Sequence, residues 1–242
     1  MSVPDVERLR QIKTLPSLIE FLRDELGWQR LDLDSFTDPE ELTFDWDADS
    51  LRISDAQSRR LSGGLVRQLR SLEDGQPWGI FLVEFTDERI YRTALREILR
   101  GLVASRRRDS QLPSWQHENL LFICATRDYE RITFAHFRGE KMQKARLATF
   151  GWQRDSAYLR TLLEFNLPAL RWPEHSSDSA AWLKQWASAF DVEAVTKLFF
   201  REIANWYFWA LKHVRFPKDA PKEADKRDHI SVIRLITRLI FC

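Results

Sequence analysis

The sequence predicts an α+β (or α/β) fold, with a small mixed sheet at about residues 44–152 followed by a helical region. Two observations predict it. Short apolar runs bounded by turn residues follow one another before residue 153, as the strands of a sheet do. Beyond that point apolar residues recur at intervals of three and four, which is typical of helices. We therefore predict one domain over residues 1–154 and a second over residues 155–242.

The first elements predicted are a helix, a hairpin and a second, short helix. The helix spans about Ser17–Leu26, follows Pro16, and ends at Gly27, a common helix-stop residue. Residues 42–53 alternate apolar and acidic side chains around an aspartate-rich centre, which predicts a β-hairpin. A short helix is predicted at about residues 55–60, before the turn SGG.

Four further segments predict strands, at residues 79–85, 120–126, 131–137 and 145–152. The first is introduced by the turn-forming run DGQPWG. The last three are separated by short polar turns, so the simplest arrangement is a meander. An amphipathic helix over about Glu88–Ala104 separates the first strand from the second.

Helices are predicted for the remainder of the chain, at residues 158–166, 180–190, 191–215 and 229–242. Asp191 and Asp228 are suitable N-cap residues for the last two, because a carboxylate can accept hydrogen bonds from free amides of the first turn. The apolar stripe of the last helix continues to Cys242 without a C-cap glycine. We therefore expect the chain to be part of a longer polypeptide.

Charge is distributed unevenly although the formal net charge is only +1. Residues 1–60 have a net charge of −6, whereas residues 85–108 and 212–242 each have a net charge of +4. A nearly neutral total thus conceals two basic zones. Local fields of this kind favour contact with a polyanion.

Composition also predicts the compartment. No apolar run approaches the roughly 18–20 residues that a membrane span requires, and the first residues lack the apolar core of a secretory signal. The two cysteines, Cys124 and Cys242, do not form the pattern of a disulfide framework. We expect a cytoplasmic protein without a membrane partner.

Several common enzyme classes lack their sequence signatures here. There is no GxSxG elbow, no GxxxxGK[ST] loop and no GxGxxG turn, and the chain has only 8 glycines. The 5 histidines show no metal-ligand spacing. Serine hydrolase, P-loop NTPase, dinucleotide-binding and zinc functions are therefore not predicted.

Several segments together resemble a known family. They are LPSLIEFLRDELGW, DGQPWGIFLVEF with the arginine-bearing helix after it, NLLFICAT, RITFAHFRGE, LATFGW, LPALRWPE, DVEAVTKLFF and RLITRLIFC. In this order they resemble the amino-terminal region of bacterial fusions of type IIG restriction–modification character and of BREX-type phage-defence DNA methyltransferases. The resemblance covers most of the chain from Leu15 to Cys242.

The resemblance implies a division of labour between domains. Residues 1–154 would be a nuclease-like or DNA-engaging module, possibly with a divergent restriction-endonuclease-like core. Residues 155–242 would be a helical connector to a downstream adenine-methylating domain. The chain has no glycine-rich S-adenosylmethionine motif and no NPPY-type motif, so S-adenosylmethionine is expected in that downstream domain and no cofactor in this part.

A divergent nuclease centre is one reading of the strand GIFLVEF. Metal-dependent nucleases of the PD-(D/E)XK type place an acid and a lysine at alternate positions of one strand, where both side chains face the metal and the phosphate. Here Glu84 is the acid and Asp74 could supply a second carboxylate for Mg²⁺, but Thr86 stands at the lysine position. Arg89 or Arg92 could replace that lysine. The alternatives are a nuclease fold without catalysis and a glutamate at the edge of an ordinary strand.

A row of arginines is the second candidate feature. Its members lie on the helix over residues 88–104 or directly after it: Arg89, Arg92, Arg96, Arg100, Arg106, Arg107 and Arg108. The first four fall within roughly an 80° sector opposite the apolar stripe. Forked guanidinium donors match phosphate oxygens, which predicts double-stranded DNA as a partner. The alternative is a solvated helix that pairs with the acidic first third.

Aromatic residues at helical spacing are the third candidate feature: Trp182, Trp186, Phe190, Phe199, Trp206 and Trp209. This spacing favours core packing between helices. The alternative is a docking face for the downstream catalytic domain, because a large exposed apolar surface needs a partner. The functions left open are thus a DNA-engaging module, an active Mg²⁺-dependent endonuclease domain and a structural adaptor.

Overall fold

A computed structural model describes residues 6–28, 43–51, 53–69, 78–89, 119–138, 146–157, 159–172, 179–216 and 224–241. Its six strands are β1 Phe44–Trp46, β2 Val66–Gln68, β3 Trp78–Glu84, β4 Asn119–Ala125, β5 Arg131–Arg138 and β6 Arg146–Gln153. They form one sheet in the order β1-β2-β3-β4-β5-β6. Strands β3 and β4 run parallel and every other neighbouring pair runs antiparallel. The mixed sheet and the α+β class predicted from the sequence are confirmed.

The helices of the described ranges are α1 Val6–Gln11, α2 Leu15–Asp24, α3 Ala48–Leu51, α4 Asp55–Ser58, α5 Leu167–Ala169, α6 Ser179–Ala189, α7 Val192–His213 and α8 Ala224–Phe241. A π-helical turn, Leu162–Asn166, leads directly into α5. Short 3-10 turns occupy Ser62–Gly64 and Arg127–Tyr129. None of the helices within these ranges is long and apolar enough to cross a membrane.

Local hydrogen bonds explain where α2 begins and ends. The Thr14 side chain accepts from the Ser17 amide, and the Ser17 side chain accepts from the Thr14 amide, so the two residues form a reciprocal cap. This cap starts the helix at Leu15, two residues before the predicted start. At the other end Gly27 has a φ of 68°, a conformation that glycine adopts without steric cost, and the predicted stop is confirmed.

The hairpin predicted for residues 42–53 is wrong. Strand β1 pairs with β2, and the residues after β1 turn into α3 instead of returning as a second strand. The Asp47 carboxylate accepts the Ser50 amide at 2.8 Å, which also lowers the pKa of Asp47. This hydrogen bond stabilises the first turn of a helix at the position where a hairpin needs a continuing strand.

The predicted meander is confirmed, because β4, β5 and β6 pair in sequence order. Both faces of the sheet are covered. On one face Ile80, Leu121 and Phe134 pack in a core shared with α1, α2 and α6. On the other face Phe81 and Phe122 pack with Leu51, Leu61 and further strand residues. Burial on both faces explains why these strands are continuous apolar runs rather than alternating ones.

The chain divides into two compact units, residues 1–190 and 191–242. The division falls later than the predicted boundary at 154/155, because the helices between residues 159 and 189 share the core of the sheet. Leu163, Leu167, Trp182 and Trp186 are all part of that core. In the second unit α8 begins at Ala224, so the prediction of Asp228 as its N-cap is wrong.

Candidate functional site

An open cleft of about 470 Å³ lies where the parallel strands β3 and β4 end. Its lining residues come from the end of β3, the turn after β4 and the 3-10 turn before β2: Ser62, Glu84, Phe85, Thr86, Thr126, Arg127, Asp128 and Tyr129. We call it the strand-end cleft. In open α/β sheets the carboxyl ends of parallel strands are a common place for ligands.

Glu84, the candidate nuclease acid, is held at the cleft by two side chains. Arg67 of β2 donates from Nη1 to Oε2 of Glu84, and the Tyr129 hydroxyl donates to Oε1 at 2.5 Å. Arg67 also lies 3.5 Å from Oδ1 of Asp45, the residue opposite it in the β1–β2 pair. Side chains from β1, β2, β3 and the turn after β4 are thereby joined around one carboxylate.

The turn that carries Tyr129 has an uncommon backbone. Asp128 and Tyr129 have φ values of 57° and 55°, in the left-handed region that non-glycine residues rarely adopt. Burial of the Tyr129 ring and its hydrogen bond to the Glu84 carboxylate both raise the pKa of the phenol. The hydroxyl therefore stays protonated and continues to donate to Glu84.

Arg67, the cation beside Glu84, was not among the residues predicted from the sequence. Thr86, at the lysine position of the nuclease pattern, donates its hydroxyl to the Arg59 carbonyl at 3.3 Å and its amide to the Arg60 carbonyl at 2.9 Å. Arg89 is exposed, and the neighbour of Glu84 is Arg67 from the adjacent strand. This contact depends on the pairing of β2 with β3, a long-range feature without a local sequence signal.

A metal ion at Glu84 would compete with these partners. Each oxygen of Glu84 already accepts a hydrogen bond, one of them from a guanidinium group. Asp74, the second predicted ligand, lies outside the described residues. Within the described part of the chain there is no group of three or more histidine, cysteine, aspartate or glutamate side chains that could hold a metal ion. Binding of Mg²⁺ at Glu84 would have to overcome its contacts with Arg67 and Tyr129.

Exposed arginines lie on three segments at the end of the sheet where β3 and β4 finish. Arg59 precedes the 3-10 turn before β2, Arg89 follows β3, and Arg127 follows β4 with a side chain that is 67% exposed. The segment after β3 connects them, because Thr86 bonds to the Arg59 carbonyl and the Arg127 amide donates to the Asp87 carbonyl at 3.1 Å. We call these three residues the edge arginines.

The edge is mixed in sign rather than uniformly basic. Asp87 is paired with Arg60 through two hydrogen bonds of 2.7 and 2.9 Å. Glu88 and Asp128 are exposed nearby. Among the described residues neither Arg59 nor Arg89 has an ion-pair partner. Arg127 Nε lies 3.9 Å from Oδ2 of Asp128, but both side chains are largely exposed, so the guanidinium groups of all three edge arginines are accessible to an external anion.

Of the predicted DNA-contacting residues only Arg89 is described, and it is exposed at the edge. The others, Arg92, Arg96, Arg100, Arg106, Arg107 and Arg108, lie outside the described residues, as does most of the predicted helix over residues 88–104. Sequence reasoning missed Arg59 and Arg127. The signal for Arg127 is its position directly after a predicted strand, which brings it to this edge only if β3 and β4 are parallel.

The predicted aromatic set divides between two environments. Trp182 and Trp186 are fully buried in the core beside the sheet, and Phe190 packs against that core. Core packing is therefore confirmed for these residues. Phe199, Trp206 and Trp209 on α7 are exposed instead. No protein-family model, no curated protein and no solved structure matches the chain.

Replacing Tyr129 with phenylalanine is expected to lower the free energy of unfolding by about 2 kcal/mol at neutral pH, because a buried charge-assisted hydrogen bond is lost. It should also flatten the pH dependence at alkaline pH. Above about pH 10 a tyrosine of the unfolded chain loses its proton while the folded Tyr129, whose pKa is raised, keeps it. The contribution of Tyr129 to the free energy of unfolding is therefore complete below about pH 10. Above that pH it falls by up to about 1.4 kcal/mol per pH unit.

Urea unfolding followed at several pH values between neutral and alkaline measures both effects. The wild-type protein should lose stability more steeply than Tyr129→Phe over the alkaline range. Equal slopes for the two proteins would show that Tyr129 ionises as freely in the folded state as in the unfolded chain.

Proposed function

We propose that this chain is the amino-terminal DNA-engaging module of a bacterial restriction–modification or phage-defence DNA methyltransferase, with a nuclease-like design but no nuclease activity. The observation that carries the proposal is the set of edge arginines. Three segments far apart in sequence bring exposed guanidinium groups to one edge of a rigid sheet. Guanidinium groups bind phosphates through paired donors.

The positive charges at this edge suit a duplex backbone. Arg89 begins the arginine-bearing segment, whose further members Arg92, Arg96 and Arg100 continue the basic track in the sequence. Contacts to phosphates position a protein on DNA without reading its sequence. The proposed module therefore supplies affinity and orientation for the protein of which it is part.

The environment of Glu84 argues against cleavage. A nuclease acid must offer its oxygens to a metal ion, whereas Glu84 accepts hydrogen bonds from Arg67 and Tyr129 at both oxygens. In the proposed function this carboxylate is structural. It joins β2, β3 and the turn after β4 beneath the edge arginines, and so fixes the surface that contacts DNA.

Methyl transfer takes place elsewhere in this proposal. The resemblance to methyltransferase fusions implies an S-adenosylmethionine site in a downstream domain of the same polypeptide, and the proposed setting is the cytoplasm. The chain's own contribution is to hold that domain on the duplex. The proposal therefore predicts that the chain binds duplex DNA but does not cleave it.

The experiment measures duplex binding and cleavage by the same preparation. Fluorescence anisotropy with a short labelled duplex should show an affinity that falls about a hundredfold between 50 and 200 mM salt if four phosphates are contacted. Supercoiled plasmid incubated with the protein and Mg²⁺ should stay intact. A salt-independent affinity, or no affinity, would contradict DNA engagement.

Glu84→Gln distinguishes the two roles of the carboxylate. The variant keeps the shape of the side chain but removes the charge that faces Arg67. We expect lower thermal stability and unchanged plasmid integrity. Plasmid cleavage by the wild type that is lost in Glu84→Gln would instead identify an active endonuclease.

A further inference from the structure

Many large apolar side chains are exposed among the described residues of the unit 191–242. Between α7 and α8 the described residues bury three apolar side chains, Ala210, Val232 and Ile236. Ten large apolar side chains of the same two helices are exposed: Phe199, Phe200, Trp206, Phe208, Trp209, Ile230, Ile233, Leu239, Ile240 and Phe241. A two-helix unit of this size gains little stability from its own core, so association is the usual remedy.

Part of the exposed surface has a regular pattern. Five residues of α7 follow one another at intervals of three, four, three and four: Phe199, Glu202, Trp206, Trp209 and His213. This alternation is the one that a coiled-coil seam uses. We call these residues the α7 stripe. Its three apolar members are 46%, 37% and 52% exposed in chain order.

The α7 stripe is separate from the contact between the two helices. The residues of α7 that pack with α8 include Ile203, Tyr207, Ala210 and Leu211. At about 100° per residue the stripe falls within roughly an 80° sector beside that contact. The stripe is therefore available to a second helix while α8 stays in place.

We propose that the α7 stripe pairs with the α7 stripe of a second copy of this chain, in antiparallel orientation. The spacing makes the stripe complementary to itself. A two-fold axis that crosses the helix between residues 207 and 208 sets Trp206 of each copy opposite Trp209 of the other. The same axis sets Glu202 opposite His213, so each contact occurs twice, as in any two-fold interface.

The polar members of the stripe select the antiparallel orientation. His213 Nδ1 lies 2.8 Å from the Trp209 carbonyl oxygen and donates to it, which leaves Nε2 for a partner outside its own helix. A protonated imidazole can donate from Nε2 to the Glu202 carboxylate of the second copy. Parallel pairing would instead place Glu202 against Glu202, a repulsive contact.

The size of the stripe sets the strength of the dimer. The stripe is about 22 Å long, at 1.5 Å per helical residue, and each aromatic side chain can bury roughly 150–250 Å². Because only 46%, 37% and 52% of these side chains is exposed, the six of them can bury about 400–700 Å² in total, which is the size of a weak, transient interface. We therefore expect a dimer that dissociates at micromolar concentration. This inference is independent of the proposed DNA contact.

Sedimentation velocity of the full chain from about one to one hundred micromolar tests the proposal. The wild type should shift from monomer to dimer over this range, and Trp206→Glu/Trp209→Glu should remain monomeric. Phe208→Glu is the matched control, since Phe208 is 60% exposed on the same helix but lies outside the stripe. A wild type that is monomeric throughout, or a control that dissociates as fully as the tryptophan variant, overturns the proposal.

A charge exchange tests the register and avoids loss of the aromatic residues. Glu202→Lys should weaken dimerisation at least about tenfold, because a lysine then faces His213. Adding His213→Glu restores opposite charges in each pair and should restore the dimer. Far-UV circular dichroism verifies that the helices persist in each variant. If the double variant dimerises no better than Glu202→Lys, the antiparallel register is wrong.

Discussion

Reversing the charge of Arg59, Arg89 and Arg127 together is expected to reduce duplex affinity on the order of 500-fold at 100 mM salt. Each phosphate contact contributes about 0.9 to the slope of log affinity against log salt. Since 100 mM is one decade below 1 M, three contacts contribute about 2.7 decades of affinity at 100 mM relative to 1 M salt. The slope itself should fall by about 2.7. Anisotropy titrations at four or five salt concentrations measure both quantities in one series.

A control variant must carry the same change of charge elsewhere. Arg10, Arg160 and Lys184 are exposed on or beside helices, and none of them lines the strand-end cleft. Changing these three residues to glutamate alters the net charge equally. Only a small loss of affinity is expected from them. If both triple variants lose affinity to the same degree, binding reflects total charge rather than a site at the edge.

The arginine-bearing segment is tested separately. Arg92→Glu/Arg96→Glu leaves the edge arginines intact and removes two members of the predicted track. A further loss of affinity, with a further decrease of the salt slope, is expected if edge and track contact one backbone. An unchanged slope would restrict the interface to the edge arginines.

The central strands could be predicted within one or two residues because their signal is local. Strands β3 and β4 are buried on both faces along all but one terminal position each, so their interiors are continuous apolar runs and turn residues mark the ends. The short strand β2 could not be predicted, and β1 was predicted only as part of a hairpin that does not form. Three residues such as VRQ carry no periodicity, and their pairing depends on the rest of the sheet.

The candidate site was predictable only in part, for a related reason. Glu84 was found because it ends a recognisable strand. Its partners Arg67 and Tyr129 come from a strand too short to recognise and from a turn with left-handed backbone. Contacts of this kind follow from strand order, which a sequence pattern does not specify. Arg59 and Arg127 were not predicted because strand order also determines their position at the edge.

The aromatic residues show a similar limit of periodicity. Spacing indicates which face of a helix is apolar but not whether another element covers it. Trp186 lies on α6, which packs on the sheet, and is fully buried. Trp206 and Trp209 have the same kind of spacing on α7 and remain exposed. Burial was thus decided by the position of each helix and not by its sequence pattern.

The largest effect on stability is expected from Trp78→Ala. Trp78 is buried at the start of β3, and its ring centroid lies 4.7, 5.6 and 6.1 Å from those of Trp182, Trp186 and Trp172. Removing it deletes the centre of an aromatic cluster that joins the sheet to α6. Substitutions of this type cost about 3–5 kcal/mol. That loss is a large part of the 5–15 kcal/mol by which domains are usually stable.

Trp182, the ring closest to Trp78, and Trp28 beside it are fixed by their own hydrogen bonds, which limits how far the cluster can close the space that Trp78 leaves. Trp182 Nε1 donates to the Arg171 carbonyl at 2.7 Å, and Trp28 Nε1 donates to the Leu170 carbonyl at 2.9 Å. A cavity that cannot collapse gives the upper part of the range of costs. Urea unfolding followed by near-UV circular dichroism reports on the ordered tryptophans. Phe200→Ala, at an exposed position of α7, is the control and should change the free energy of unfolding by less than about 0.5 kcal/mol. A loss below about 1 kcal/mol for Trp78→Ala would show that the cluster does not support the sheet.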